Sequence, residues 1–128
     1  MFWNDNILHG LARGLDGAAL RQKVTAQNIS NLNTPGYKRS YVSFSQEMDR
    51  ARVSLTRTDP RHLPAARQEA EPVVKAERHT SRRPDGNNVD LDREMLDMVT
   101  NQLRYNALVQ QTGERYSRWR YIINEGRG

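Results

Sequence analysis

Apolar residues gather at the two ends of this chain, each set with helical spacing. From Leu8, alternating steps of three and four reach Leu8, Leu11, Leu15, Ala18, Gln22, Thr25, Ile29 and Leu32, and six of these eight are apolar. The stripe predicts an amphipathic helix of roughly 28 residues, about 42 Å long at 1.5 Å per residue. Asp5 suits its N-cap or first turn. Asn33-Thr34-Pro35-Gly36 ends it, because proline drives Thr34 out of the α region and Pro-Gly fits the central positions of a type II turn. The second stripe runs Leu91, Met95, Met98, Gln102, Tyr105, Val109, Thr112, Tyr116, Trp119, Ile123, with eight of ten apolar or aromatic. It predicts a helix from about residue 90 to 125, roughly 50 Å long. Asp85-Gly86-Asn87-Asn88 forms a turn ahead of it, Asp90 is placed to cap, and Asp92 and Glu94 suit the positive end of the dipole. Gly126 is the expected stop.

The stretch between changes character. Pro60, Pro64, Pro72 and Pro84 exclude a continuous helix, and residues 38–88 carry eleven basic and seven acidic side chains. Val53-Ser54-Leu55-Thr56 and Glu71-Pro72-Val73-Val74-Lys75 are short β-type fragments. The predicted fold is mainly α. Long N- and C-terminal helices (1–36 with its turn, and 89–128) pair antiparallel in coiled-coil fashion, around a small, polar, irregular or short-β segment at 37–88.

Composition sharpens this picture. Leu, Ile, Val and Phe make up only 25 of 128 residues, and the mean hydropathy is -0.90. A chain this polar is at the border of what can offset its ordering entropy by burial, which disfavours a compact monomeric enzyme. Gly10, Gly14 and Gly17 each cost the first helix up to about 1 kcal/mol against alanine, while allowing a neighbouring helix to come close. A helical pair would leave Ile7, Leu20 and Val24 off the first stripe and Leu96, Val99, Leu103 and Leu108 off the second. Such a hairpin calls for partners. There is no cysteine, hence no disulfide or thiolate chemistry. No apolar run is long enough to span a membrane, and Met1 to Gly10 lacks the basic-then-apolar pattern of a Sec signal.

The stretch from Ala26 to Arg39, Ala-Gln-Asn-Ile-Ser-Asn-Leu-Asn-Thr-Pro-Gly-Tyr-Lys-Arg, resembles the signature of the bacterial flagellar rod, hook and hook–filament junction proteins. In them Asn-x-x-Thr-Pro-Gly-Tyr-Lys ends the N-terminal helix. Ile29 and Ser30 stand where relatives often carry Leu and Ala, a conservative departure. Asp85-Gly86-Asn87-Asn88-Val89-Asp90-Leu91-Asp92-x-Glu94-Met95 and Asn101-Gln102-Leu103-Arg104-Tyr105 resemble the proximal rod subunits in particular, as does the short middle. The resemblance covers roughly 5–45 and 84–124. It implies a structural subunit of the basal-body rod that polymerises through its terminal helices, links the membrane ring to the distal rod and transmits torque. It also implies passage through the flagellar type III export apparatus without a cleaved signal, and a place in the periplasmic rod. The implied partners are copies of itself, other rod subunits and the adaptor protein at the inner-membrane ring.

Stripe and signature together nominate subunit-interface positions: Leu8, Leu11, Leu15, Asn28, Ile29, Asn31, Leu32, Asn33, Pro35, Gly36, Tyr37, Leu91, Met95, Met98, Tyr105, Val109, Tyr116, Trp119 and Ile123. Asparagines at 28, 31 and 33 suit a helix end, where their amides satisfy orphan backbone groups. Tyr37 is expected to fold back, with Lys38 and Arg39 facing water. The turn is either a helix stop alone or also a contact with a neighbouring subunit.

No catalytic, metal-binding or cofactor-binding set stands out. His9, His62 and His79 lack ligand spacing. Asp85, Asn87, Asp90 and Asp92 superficially resemble a calcium loop without its glycine and terminal glutamate, and Asn28-Ile29-Ser30 is a sequon on a helix. Nucleic acid and small-molecule substrates are not expected. The rival readings are a basic nucleic-acid-binding protein, given a pI near 10.0 and the Arg78–Arg83 cluster, and a cytosolic helical adaptor.

Overall fold

The computed structural model describes residues 5–43 and 71–125. The expectations at Val53–Thr56, Pro60, His62, Pro64 and Gly126 lie outside them. Helix α1 (Asp5–Ser30) is followed by strand β1 (Ser40–Ser43), strand β2 (Val73–Ala76) and helix α2 (Leu91–Glu125). The strands pair antiparallel, Ser40 opposite Ala76 and Ser43 opposite Val73. β2 falls where Val73-Val74-Lys75 suggested; β1, of the same four-residue length, has no β-branched run to announce it among polar neighbours.

The helices run antiparallel as expected: Asn28 meets Glu94, Ala18 meets Asn101 and Gly14 meets Leu108. The helical periods are right, and the α1 stripe turns inward as expected, all eight of its residues being buried or half-buried; on α2 the inward face is rotated from the stripe that the apolar residues select. On α2 the inward line passes through Glu94, Met98, Asn101, Leu108, Thr112, Arg115 and Trp119, all buried or half-buried. Leu91, Met95, Val109, Tyr116 and Ile123 of the expected stripe are 42–57% exposed. Val24 and Leu108, which lie off the stripes, also turn inward. The physical reason is that α2 is apolar on more than one face, and the partners that α1 and β1 offer select a mixed face that carries Glu94 and Asn101 beside Met98, Leu108 and Trp119.

Gly14 makes this possible, because a Cβ there would sit 3.2 Å from a Leu108 methyl. Gly10 does not serve close approach within the chain, since its Cβ direction is open. Buried hydrophobic residues among those described are Leu11, Ala18, Val24 and Val89, whereas Thr25, Asn28, Arg39, Asn87, Asn88, Glu94 and Asn101 are buried and polar or charged. Hydrogen bonds, rather than apolar burial alone, define where these helices meet.

Candidate assembly site

The two sequence motifs meet where α1 ends and α2 begins. Asn28, in the last turn of α1, is 1% exposed. Its amide donates to the Ser40 carbonyl (2.8 Å) and to Glu94 Oε2 (3.0 Å). Its Oδ1 accepts from the Ser40 amide (2.9 Å) and the Tyr37 hydroxyl (3.2 Å). An asparagine offers two donors and two acceptor sites, and all four are used. Asn28 therefore does not cap α1, as its position suggested; it ties α1 sideways to β1 and α2. Asn31 does meet the capping expectation, donating to the Gln27 carbonyl (2.8 Å).

Glu94 is completely buried, so its carboxylate requires a partner. That partner is Arg39, whose Nε hydrogen-bonds Glu94 Oε1. The same guanidinium reaches Asp97 (2.8 Å) and Glu77 (3.5 Å). Burial alone would lower the Arg39 pKa, but the hydrogen bond and charge of Glu94, with the charges of Asp97 and Glu77, hold it above its ordinary value. Arg39 thus gathers carboxylates from the β2 end and the first two turns of α2. The expectation that Lys38 and Arg39 face water is corrected. Arg39 is buried beside Glu94, and Lys38 donates to the carbonyls of Thr80 (3.0 Å) and Gly86 (2.5 Å). Glu94 lies in the first turn of α2 as expected, and is buried there as the ion partner of Arg39.

The turns dock on each other. Gly36 adopts φ +71° and Gly86 φ +84°, a region glycine enters freely. Tyr37 donates from its amide to the Thr34 carbonyl (3.3 Å), closing the Pro-Gly turn that the sequence predicts. The Gly36 amide donates to the Asp85 carbonyl (2.9 Å), and a Cβ on Gly86 would lie 3.7 Å from Gly36 Cα. Asn87, fully buried, donates from its amide to the carbonyls of Asn31, Leu32 and Thr34 at 2.9–3.1 Å. It satisfies the carbonyls left open where α1 stops. Asn88 accepts from the Arg39 amide (2.6 Å) and donates to the Glu77 carbonyl (2.7 Å). Asp90 caps α2 as expected, accepting from the Asp92 amide (3.1 Å).

The basic cluster proposed for phosphate contact is partly engaged within the chain. Arg82 pairs with Asp90 and Arg83 donates to the Leu32 carbonyl (2.9 Å); His79 is exposed. Slight burial opposes ionisation of Asp90, but the Arg82 charge and the amides of Arg93 and Asp92 outweigh it and lower its pKa. Among the described residues no group of His, Asp or Glu is arranged to hold a metal ion, and no helix is long and apolar enough to cross a membrane.

The nominated interface positions divide. Leu11 and Asn28 are buried inside the chain; Leu8, Leu15, Ile29, Asn31, Leu32, Tyr37, Met98 and Trp119 are half-buried. Asn33, Pro35, Gly36, Leu91, Met95, Tyr105, Val109, Tyr116 and Ile123 are exposed. Sequence reasoning missed the roles of Arg39, Asn87, Asn88, Glu94 and Asn101. Each is a polar residue whose burial depends on a partner from another segment, and no local pattern marks that. The result is a clasp: a closed polar network that fastens the end of one helix to the start of the other.

Comparison with known proteins agrees with the signature. The flagella basal body rod protein family matches residues 11–38, from α1 through the turn to Lys38. The chain is 33% identical over 122 residues to flagellar basal body rod protein FlgB of Bacillus subtilis, covering 94% of this chain and 95% of the relative. The FlgB protein of Borrelia hermsii is 38% identical over 104 residues, 73% of this chain and 77% of the relative. That of Escherichia coli K12 is 36% identical over 112 residues, 79% and 80%.

Proposed function

The chain belongs to the flagellar basal body rod protein family, and from that premise we propose that it polymerises through its terminal helices at the proximal end of the rod. As a member of this family it is a structural component of the flagellar basal body that assembles with other rod components, not an enzyme. In the finer reading, it joins the adaptor at the inner-membrane ring to the next rod subunit and passes on torque. It leaves the cytoplasm through the flagellar type III export apparatus without a cleaved signal.

One observation carries the reading: α2 buries polar residues against α1 and leaves Met95, Leu96, Val99, Leu103, Val109, Tyr116, Ile122 and Ile123 between 47 and 68% exposed. A monomer in water gains nothing from that arrangement, whereas a subunit packed among other helices buries the whole face. The clasp supports the same reading, because it fixes the two helices as one unit with a defined outer surface. The test is to isolate detergent-resistant basal bodies from cells carrying a tagged copy and to probe the rod fraction. The reading requires the chain in that fraction and in the periplasm at its native N-terminus. A chain that complements motility while remaining soluble in the cytosol overturns it.

A further inference from the structure

An open groove of about 380 Å³ runs beside the helix seam, with Ala18, Ala19 and Ala26 of α1 on one side and Asn101, Gln102 and Tyr105 of α2 on the other. Alanines alone do not make a site. Asn101 adds an independent mark. It is 5% exposed, and its amide donates to the Ala18 carbonyl (2.8 Å) and to Gln22 Oε1 (3.0 Å). Its Oδ1 is buried and accepts nothing among the described residues. A buried acceptor without a donor is unfavourable, and native chains rarely retain one without a use.

The chain also carries a surface that complements the groove. Leu96, Val99 and Leu103 are 68, 57 and 66% exposed, and their spacing of three and four makes them one ridge on α2. Asp92 stands one turn ahead of Leu96 on the same line, and Lys23 is at the rim of the groove. Both are exposed and neither forms an ion pair among the described residues.

We propose that the alanine-lined groove of one copy receives the Asp92–Leu96–Val99–Leu103 ridge of a second copy. Lys23 meets Asp92 across the contact, and Asn101 Oδ1 takes a hydrogen bond from a donor on the incoming helix. This deepens the rod reading and rests on it. Groove and ridge are different surfaces, so the contact is heterologous. Each added copy leaves one groove and one ridge free, and the contact propagates instead of closing into a two-fold dimer. The alanines let the incoming helix approach closely, and the ridge enters between α1 and α2 as a third helix.

The absence of cysteine gives a clean background for the test. Two differently tagged alleles, one carrying Ala19→Cys or Ala26→Cys and the other Leu96→Cys or Leu103→Cys, are expressed together in flagellated cells, and their basal bodies are isolated and oxidised. The expected product is a mixed-tag disulfide dimer, with neither allele cross-linking to itself. Same-allele Leu103→Cys dimers, or incorporation of both alleles without any mixed dimer, overturn the proposal. If the tagged wild-type chain is itself missing from basal bodies, it is the rod reading that fails.

Charge reversal gives a second readout. Lys23→Glu or Asp92→Lys alone should lower incorporation about tenfold, the equivalent of one lost contact of about 1.4 kcal/mol. The two reversals in one chain should restore it. Asn101→Leu, which removes the acceptor, should lower incorporation by a similar factor. Wild-type incorporation of Asn101→Leu would overturn the acceptor role.

Discussion

The clasp and the outer face of α2 use their residues in opposite ways. At the clasp, Asn28, Asn87, Glu94 and Arg39 are all buried, and the amides and charges of each are engaged. Along the outer face, leucine, valine, isoleucine and tyrosine are left to solvent. A monomeric protein is ordinarily the reverse, with apolar residues inside and charges outside. The difference teaches that this chain divides its binding capacity. Directional bonds fix its own shape, and non-directional apolar surface remains for neighbours. The division also suits a sequence poor in apolar residues, because a polar network sets register without consuming the surface that assembly needs.

The sharpest way to break the clasp is to remove one member of its ion cluster. Arg39→Ala leaves Glu94 buried without its cation, and should destabilise the monomer by about 3–5 kcal/mol, read from urea unfolding followed by circular dichroism. Replacing both Arg39 and Glu94 with apolar residues should cost less than the sum of the single changes, because the unpaired charge is gone. Asn87→Ala comes next. It strands the carbonyls at the end of α1 and should cost about 1–3 kcal/mol. Gly36→Ala forces a side chain into φ +71°, at about 1–2 kcal/mol. Because that turn docks on Asp85-Gly86, it should lower basal-body incorporation as well; normal rods from this variant would confine the turn to ending the helix.

The comparison sharpens from the other side with changes of the smallest effect on the monomer. Leu96→Asp with Leu103→Asp alters exposed positions, and should move monomer stability by no more than about 0.5 kcal/mol in the same unfolding experiment. Asp90 supplies the pH-dependent case. Its carboxyl pKa is held below the usual 3.8 by Arg82 and the helix amides, so its contribution is present above that value and is lost as pH falls below it. An Asp90→Asn variant should therefore differ from wild type at neutral pH and converge with it in acid, as read from helicity across an acid titration.

Much of the fold was legible because its signals are local. The spacing of Leu8 to Leu32 and Leu91 to Ile123, the Pro35-Gly36 stop and the Asp90 cap each rest on residues close in sequence. Even the strand at Val73–Ala76, though not its pairing with Ser40–Ser43, announced itself through β-branched residues. The clasp was legible only as a signature. That Asn28 would meet Glu94, 66 residues away, depends on how two turns dock, which no single segment encodes. Arg39 stood beside Lys38 in a stretch that reads as solvated, and only the burial of Glu94 draws it inward. The inward face of α2 was hidden for a related reason: when apolar residues occupy several faces of a helix, period gives the helix but not its rotation about its axis.

The account stands most directly on whether the outer face of α2 is kept for assembly. The decisive measurement is the amount of the Leu96→Asp, Leu103→Asp chain in purified basal bodies, alongside the unfolding midpoint of the same purified chain. The account predicts a monomer that unfolds like wild type and is missing from the rod fraction. A chain found there at wild-type level would contradict it.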